Sequence, residues 1–297
     1  MLRRLDNLLA RKEWVQLRRE AEGILRLPDL DDHTLGRVYR AIGRASIGLC
    51  QFDSSVQYFE VGLPYALRAG DWDTVGCIQI DLGGVYMVLR NRSEARRHLE
   101  EYLMHLPRYT EAGRFEGRAH YNLGLLYRQE KQYPLAVAAY KQALRCFLDR
   151  QAIRDVADTH QNIAWLLLVL GKAEEARTHI NYGSSYHDAP EDFATEQLIL
   201  QGFLHCVLGD VSTAMGYLTP VLEERVTVSE GNKASARWVA AQVLLQQKQL
   251  DPARRWVQEA LAIALAAKET HLVGLCVDLE TKIRSELAEE ATNRASD

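Results

Sequence analysis

A pattern of three side chains recurs six times along this 297-residue chain, at intervals of 38 to 41 residues. Each copy has a small residue, a second small residue twelve positions later, and a large apolar residue four positions after that. The first copy consists of Gly43, Ser55 and Phe59. The later copies begin at Gly83, Gly124, Ala164, Gly202 and Ala241. Small side chains at both places let two paired helices approach closely, so the pattern predicts an all-α array of helical hairpins.

The copy between residues 118 and 146 shows the helical pair most clearly. In its first helix, Leu123, Gly124 and Tyr127 share one face at helical spacing. The matching face of its second helix carries Ala136, Tyr140 and Ala143. These residues resemble the tetratricopeptide repeat family, whose repeats carry Leu-Gly-Tyr in the first helix and Ala-aromatic-Ala in the second.

The resemblance covers residues 1–266, with a period of about 40 residues where the family has about 34. Similar long-period arrays occur in bacterial peptide-sensing regulators and in MalT-like proteins. The resemblance implies a right-handed superhelix of about seven antiparallel helix pairs with a C-terminal capping helix. It also implies a concave groove, lined by the first helix of each pair, that binds protein or peptide segments.

We predict one domain, residues 1–290, followed by a polar tail at 291–297. Glycines and short polar runs, such as Gly70, Gly113 and residues 187–190, separate its units. The predicted units are 1–29, 30–70, 71–109, 110–150, 151–188, 189–228 and 229–268, with the capping helix at 269–290.

Charge and motifs restrict the classes of function. The net charge of −4 argues against direct nucleic-acid binding, although residues 1–150 carry +4 and residues 151–297 carry −8. No apolar run is long enough to cross a membrane. The five cysteines are scattered, which is typical of a reduced, cytoplasmic protein. No catalytic or metal-ligating motif is present, so we predict no enzyme activity, no cofactor and no metal.

Asparagines and arginines are the polar candidates for the groove that the resemblance implies. Asn122 and Asn162 occupy the same repeat position, where family members use asparagine to hold a peptide backbone; each could instead bond a neighbouring helix. A stripe of arginines on the second unit, with two more on the fourth, could receive carboxylates or could be a solvated face. These arginines are Arg37, Arg40, Arg44, Arg118 and Arg128.

The other candidates for the groove are mostly aromatic and lie further along the chain. They are Tyr121, Gln161, Trp165, Phe203 and Trp238. For the two tryptophans the alternative is packing between units, which accounts for them slightly better.

The sequence therefore predicts a non-catalytic scaffold that holds an extended segment, with acidic groups at one end of that partner. The first alternative is the sensory module of a bacterial peptide-responsive regulator that lacks its own DNA-binding domain. The second is an enzyme on a repeat scaffold, for which the sequence offers no clustered set of catalytic residues. An apolar stripe at the N-terminus also suggests a homodimer. That stripe consists of Leu2, Leu5, Leu8, Leu9 and Trp14.

Overall fold

The computed structural model of the chain describes residues 1–110, 115–184 and 191–296. This part of the chain folds into fifteen α-helices and one short 3-10 helix, without β-strands, as the repeat pattern predicted. The helices are α1 (Leu2–Ala10), α2 (Trp14–Ile24), α3 (Asp32–Gly48), α4 (Phe52–Arg68), α5 (Trp72–Val88), α6 (Arg92–Met104), α7 (Glu116–Gln129), α8 (Tyr133–Asp149), α9 (Ile153–Val169), α10 (Ala173–Ser184), α11 (Glu191–Val207), α12 (Val211–Leu222), α13 (Glu230–Gln246), α14 (Leu250–Ala266) and α15 (Thr270–Ser296). The joins predicted at Gly113 and at residues 187–190 lie outside the described residues.

Side-chain caps and left-handed residues set the ends of the helices. The Asp31 carboxylate accepts a hydrogen bond of 2.7 Å from the Thr34 amide, and Ser229 caps α13 in the same way. The turn between α4 and α5 contains Gly70 at φ 65°, a conformation that glycine adopts without strain. Turns this short return the chain on itself, so consecutive helices run antiparallel.

The recurring small residues are where paired helices meet. A Cβ atom added to Gly43 would lie 2.5 Å from the Phe59 ring, and one added to Gly202 would lie 2.7 Å from Leu218. The large apolar residue of every copy is fully buried. These six residues are Phe59, Leu99, Tyr140, Ile180, Leu218 and Val257. The three-point pattern therefore marks the core of each hairpin, as the sequence predicted.

The chain divides into two compact units, Met1–Leu126 and Tyr127–Asp297, where we predicted a single domain. The boundary lies inside α7, near its C-terminal end. In a repeat array each repeat packs mainly on its sequence neighbours, so a chain with one periodic pattern can still divide into two units. The handedness of the predicted superhelix stays a prediction.

The N-terminal apolar stripe lies inside the first unit. Leu5 and Leu8 are buried, and Leu2 and Trp14 pack partly buried against the same core, which includes residues of α2 and α3. The prediction that this stripe is a dimer surface is therefore wrong, because its apolar side chains already cover one another.

The C-terminal helix α15 packs on α13 and α14 in the second unit, as expected of a capping helix. It continues to Ser296, whereas the cap was predicted to end at residue 290 and to be followed by a tail. The extra residues include Ala291 and Ala295, whose high helix propensity extends a helix that is already nucleated. Among the described residues, no helix is long and apolar enough to cross a membrane.

Candidate functional site

The arginine stripe of α3 is engaged within the first unit. Arg44 donates from Nη1 to Asp81 Oδ1 of α5 at 2.8 Å, and Arg40 Nε lies 3.9 Å from Asp81 Oδ2. Arg37 pairs with Asp6 of α1 at 2.8 Å. Carboxylates of the same unit therefore already pair with these three arginines, and a role for them in receiving a partner's carboxylates stays a prediction.

Three more candidates of the first unit lie on α7. Arg118 is exposed, and Tyr121 and Asn122 are half-buried. Asn122 belongs to the first unit and Asn162 to the second. Their joint use as a clamp stays a prediction.

The second unit contains a cavity of about 270 Å³ that gathers four of the predicted residues. Its walls come from the end of α7 and from α9, α11, α13 and α15. The predicted residues in its lining are Arg128, Gln161, Asn162 and Trp165. The remaining lining residues include Glu196, Ile199, Ser229, Asn232, Ser235, Glu269 and His271. We call this cavity the second-unit pocket.

Asn162 connects two elements of the second-unit pocket. Its Oδ1 accepts a hydrogen bond of 2.8 Å from Arg128 Nη1, and its Nδ2 donates to the Asp158 carbonyl of the same helix at 2.8 Å. A side-chain amide carries both an acceptor and a donor, so Asn162 can bond to both helices at once. Asn162 thus holds Arg128 at the pocket wall.

The aromatic candidates form one cluster in the second unit. The Trp165 ring lies 5.3 Å from Phe203 and 5.7 Å from Trp238, and Phe203 and Trp238 meet edge to face. Phe203 is 1% exposed and Trp238 5%, whereas Trp165 is half-buried and reaches the pocket. Phe203 and Trp238 are therefore buried residues that pack against Trp165, and a role for them in binding stays a prediction.

Gln161 is also buried, and its amide donates to the Phe193 carbonyl at 3.4 Å. This long hydrogen bond links α9 to α11 beneath the second-unit pocket. Gln161 therefore shapes the wall more than it offers polar groups to an occupant.

Two polar residues of the lining, which were not among the predicted site residues, have side-chain nitrogens without hydrogen-bond partners among the described residues. Asn232 is 8% exposed, and its Nδ2 has no hydrogen-bond partner among the described residues. Neither ring nitrogen of His271 makes a hydrogen bond of normal geometry in that same part of the chain. A buried polar group without a partner costs stability, so such groups commonly mark a place where water or a ligand binds. Asn232 lies in the first turn of α13 and His271 lies in the cap helix, so the repeat positions did not include them.

Burial lowers the pKa of His271 to about 3, and the positive charges of Arg128 and Lys131 lower it further. The nearby backbone of Arg128 acts on the pKa in the opposite direction. The imidazole is therefore neutral at physiological pH, with one nitrogen that donates and one that accepts.

Helix α15 is held beside the pocket by contacts with the segment after α7. Lys131 Nζ lies 2.6 Å from Asp278, and the Tyr133 ring meets His271 edge to face with centroids 5.8 Å apart. These contacts fix the position of His271 in the lining. No group of three or more metal-ligating side chains occurs in the described ranges.

Comparisons with known proteins agree with the repeat analysis. Residues 117–146 match the family model of the tetratricopeptide repeat. Comparison with curated proteins gives no significant sequence match.

Solved structures match almost the whole chain. NprR in complex with its cognate peptide NprX is 18% identical with a TM-score of 0.63, over 98% of this chain and 85% of that one. The apo form of the quorum sensor NprR from B. thuringiensis is 18% identical with a TM-score of 0.62, over 92% of this chain and 78% of that one. A Rap protein complexed with Competence and Sporulation Factor is 15% identical with a TM-score of 0.58, over 97% and 85%.

The class of the protein follows from these findings. The chain is an all-helical protein whose fold is similar to that of tetratricopeptide repeat proteins, as the resemblance implied. At identities this low, the solved structures establish the fold and not the ligand.

Proposed function

We propose that this chain is a non-catalytic peptide-binding module and that its second-unit pocket receives the peptide. The observation that carries the proposal is the pocket itself: a cavity of about 270 Å³ with Arg128 held in its wall by Asn162 and with buried polar groups that lack partners. Pockets that combine apolar walls with a few convergent polar groups are typical ligand sites.

The neighbours support this proposal in a second way. Two of these structures are complexes: NprR with its cognate peptide NprX, and a Rap protein with Competence and Sporulation Factor. An array of the same fold is therefore able to hold a short segment. The absence of a catalytic motif in the sequence is consistent with binding as the whole function.

A peptide-responsive sensor is the second candidate, favoured by the description of NprR as a quorum sensor. In this reading, peptide binding changes the affinity of the chain for another macromolecule. A gel-shift assay with promoter DNA, run with and without the selected peptide, separates a sensor that acts on DNA from a scaffold that does not.

Other features of the partner and the setting also belong to the proposal. A cytoplasmic location is supported by the free cysteines, of which Cys206 and Cys276 are buried. An acidic group at one end of the peptide has weaker support than the sequence suggested, because Asp6 and Asp81 already pair with the α3 arginines. A homodimer stays a prediction, without the N-terminal stripe as its surface.

The experiment is selection from a random heptapeptide library, followed by calorimetry with the enriched peptides. Arg128→Met keeps the length of the side chain and removes its charge and donors, and we expect it to weaken binding by about tenfold or more. The control is Arg177→Met, which changes an exposed arginine of α10 that pairs with Glu174. Failure to enrich any peptide, or equal binding by the Arg128 and Arg177 variants, contradicts the proposal.

A further inference from the structure

The polar groups of the second-unit pocket that lack partners are of two kinds. Asn232 Nδ2 is a donor and is buried in the lining. His271, on the cap helix, brings two ring nitrogens, one a donor and the other an acceptor when the ring is neutral. An occupant that satisfies both residues needs an acceptor for Asn232 and can use a donor for His271.

The charges of the lining restrict the occupant further. Arg128 brings one positive charge to the lining and bonds to Asn162 through Nη1, while Glu196 and Glu269 bring two carboxylates. A carboxylate ligand has only acceptor atoms, so it would leave the acceptor nitrogen of His271 without a donor, in a lining where glutamates outnumber the arginine. An ammonium ligand has only donors, so it would leave Asn232 Nδ2 without a partner.

We infer that the second-unit pocket recognises the carboxamide of an asparagine or glutamine side chain, with Asn232 donating to its oxygen and His271 accepting from its nitrogen. This inference rests on the proposed function and names the side-chain class that the pocket selects. A carboxamide is uncharged and carries a donor and an acceptor on separate atoms, which matches both residues at once. Backbone amides have the same groups in every peptide, so they give affinity without this selectivity.

The position of His271 supports its use in selection. Tyr133 packs against its ring, and the Lys131–Asp278 ion pair holds the same stretch of α15. A ring fixed in this way loses little conformational freedom when a ligand binds. Asn232 is fixed too, because its own backbone amide donates to Ser229 Oγ at the start of α13.

The test uses a library of end-capped pentapeptides in which one position is varied and bound peptides are identified by mass spectrometry. Acetylated N-termini and N-methylamide C-termini remove the terminal charges without adding a primary carboxamide, so the varied side chain decides the outcome. We expect the protein to enrich Gln or Asn over Glu or Asp at one position by about tenfold or more, the effect of one or two buried hydrogen bonds. His271→Phe should reduce this ratio to about one while the aromatic contact with Tyr133 remains.

The matched control is His205→Phe, which removes a histidine of the same unit that lies outside the pocket lining. It should leave the ratio unchanged. If His271→Phe lowers the melting temperature, Asn232→Asp decides the question, because it keeps the shape of the side chain and replaces the donor by an acceptor. That variant should also lose the preference for carboxamides.

The outcomes separate this inference from the proposed function. A protein that enriches no peptide overturns both. A protein that enriches peptides without preferring Gln or Asn, that prefers Ser or Thr instead, or that keeps its preference in both pocket variants overturns the inference alone.

Discussion

In the first unit, Arg40 and Arg44 reach Asp81 on the next first helix of the array, whereas in the second unit Arg128 reaches the neutral amide of Asn162. Both sets of arginines occupy positions that the family resemblance places in a groove. Asp81 lies 41 residues after Arg40, which is one repeat further along. An arginine therefore forms an ion pair within the unit where the next repeat has a carboxylate. Where the next repeat has an amide, the arginine lines a cavity.

The largest expected effect tests whether the aromatic residues of the second unit belong to its core. Phe203→Ala removes a ring that is 1% exposed and contacts both tryptophans. We expect a loss of about 3–4 kcal/mol in the free energy of unfolding, the usual effect of an emptied aromatic site. Urea denaturation followed by circular dichroism measures it.

A control for this variant is Leu208→Ala, at a residue that is 43% exposed directly after α11. It should change the free energy of unfolding by less than about 1 kcal/mol. If Phe203→Ala weakened peptide binding with little loss of stability, Phe203 would belong to the binding surface after all.

The next effect tests the arginine cluster of the first unit. Asp81→Asn leaves Arg40 and Arg44 without their shared carboxylate, whose side chain is 10% exposed. We expect a loss of about 2–3 kcal/mol, because the remaining charges are partly buried. Peptide binding should stay unchanged in calorimetry.

Asp149→Asn, at an exposed residue that ends α8, is the control for Asp81→Asn and should have almost no effect. A stable Asp81→Asn protein that loses its peptide would instead give the first-unit arginines a role in binding.

The smallest expected effect is on the pH dependence of the free energy of unfolding, to which buried histidines of both units contribute. Burial lowers the pKa of His98 in the first unit to about 4, with a further contribution from Arg97. The unfolded chain takes up a proton near pH 6.5 and the folded chain near pH 4, so this group stabilises the fold above pH 6.5 and loses that contribution as the pH falls towards 4. It accounts for about 1–2 kcal/mol of lost stability between pH 7 and pH 5.

His98→Gln, which keeps a polar group beside Gln79, should reduce the loss of stability by that amount in urea titrations at the two pH values. Burial also lowers the pKa of His179 in the second unit, to about 4, so part of the pH dependence should remain in the variant. An identical pH dependence in the variant and the wild type would contradict the account of His98.

Much of the fold could be predicted because the repeated residues are the ones at which paired helices contact each other. Gly43 contacts Phe59, and Gly202 contacts Leu218. Two helices can approach closely where one has no side chain, and a large side chain of the other helix then fills the space. The end of α15 was placed too early, since a polar, alanine-containing sequence can continue an established helix without a buried face.

The candidate site could be predicted only in part. Arg128, Gln161, Asn162 and Trp165 follow the repeat and line one cavity. The ion pairs of Asp81 depend on how far side chains reach between helices, which repeat spacing does not encode. Asn232 lies in the first turn of α13 and His271 lies in the cap helix, so their lack of hydrogen-bond partners becomes visible only once the helices are packed.

The most direct test of the central claim, that the second-unit pocket holds the peptide, is hydrogen–deuterium exchange with and without a peptide selected by this protein. Binding should slow exchange in the pocket-lining stretches of α9, α13 and α15 and leave α3 and α5 unchanged, because a ligand stabilises the segments that it contacts. Slower exchange in α3 and α5, with no change in α9, α13 and α15, would contradict the account.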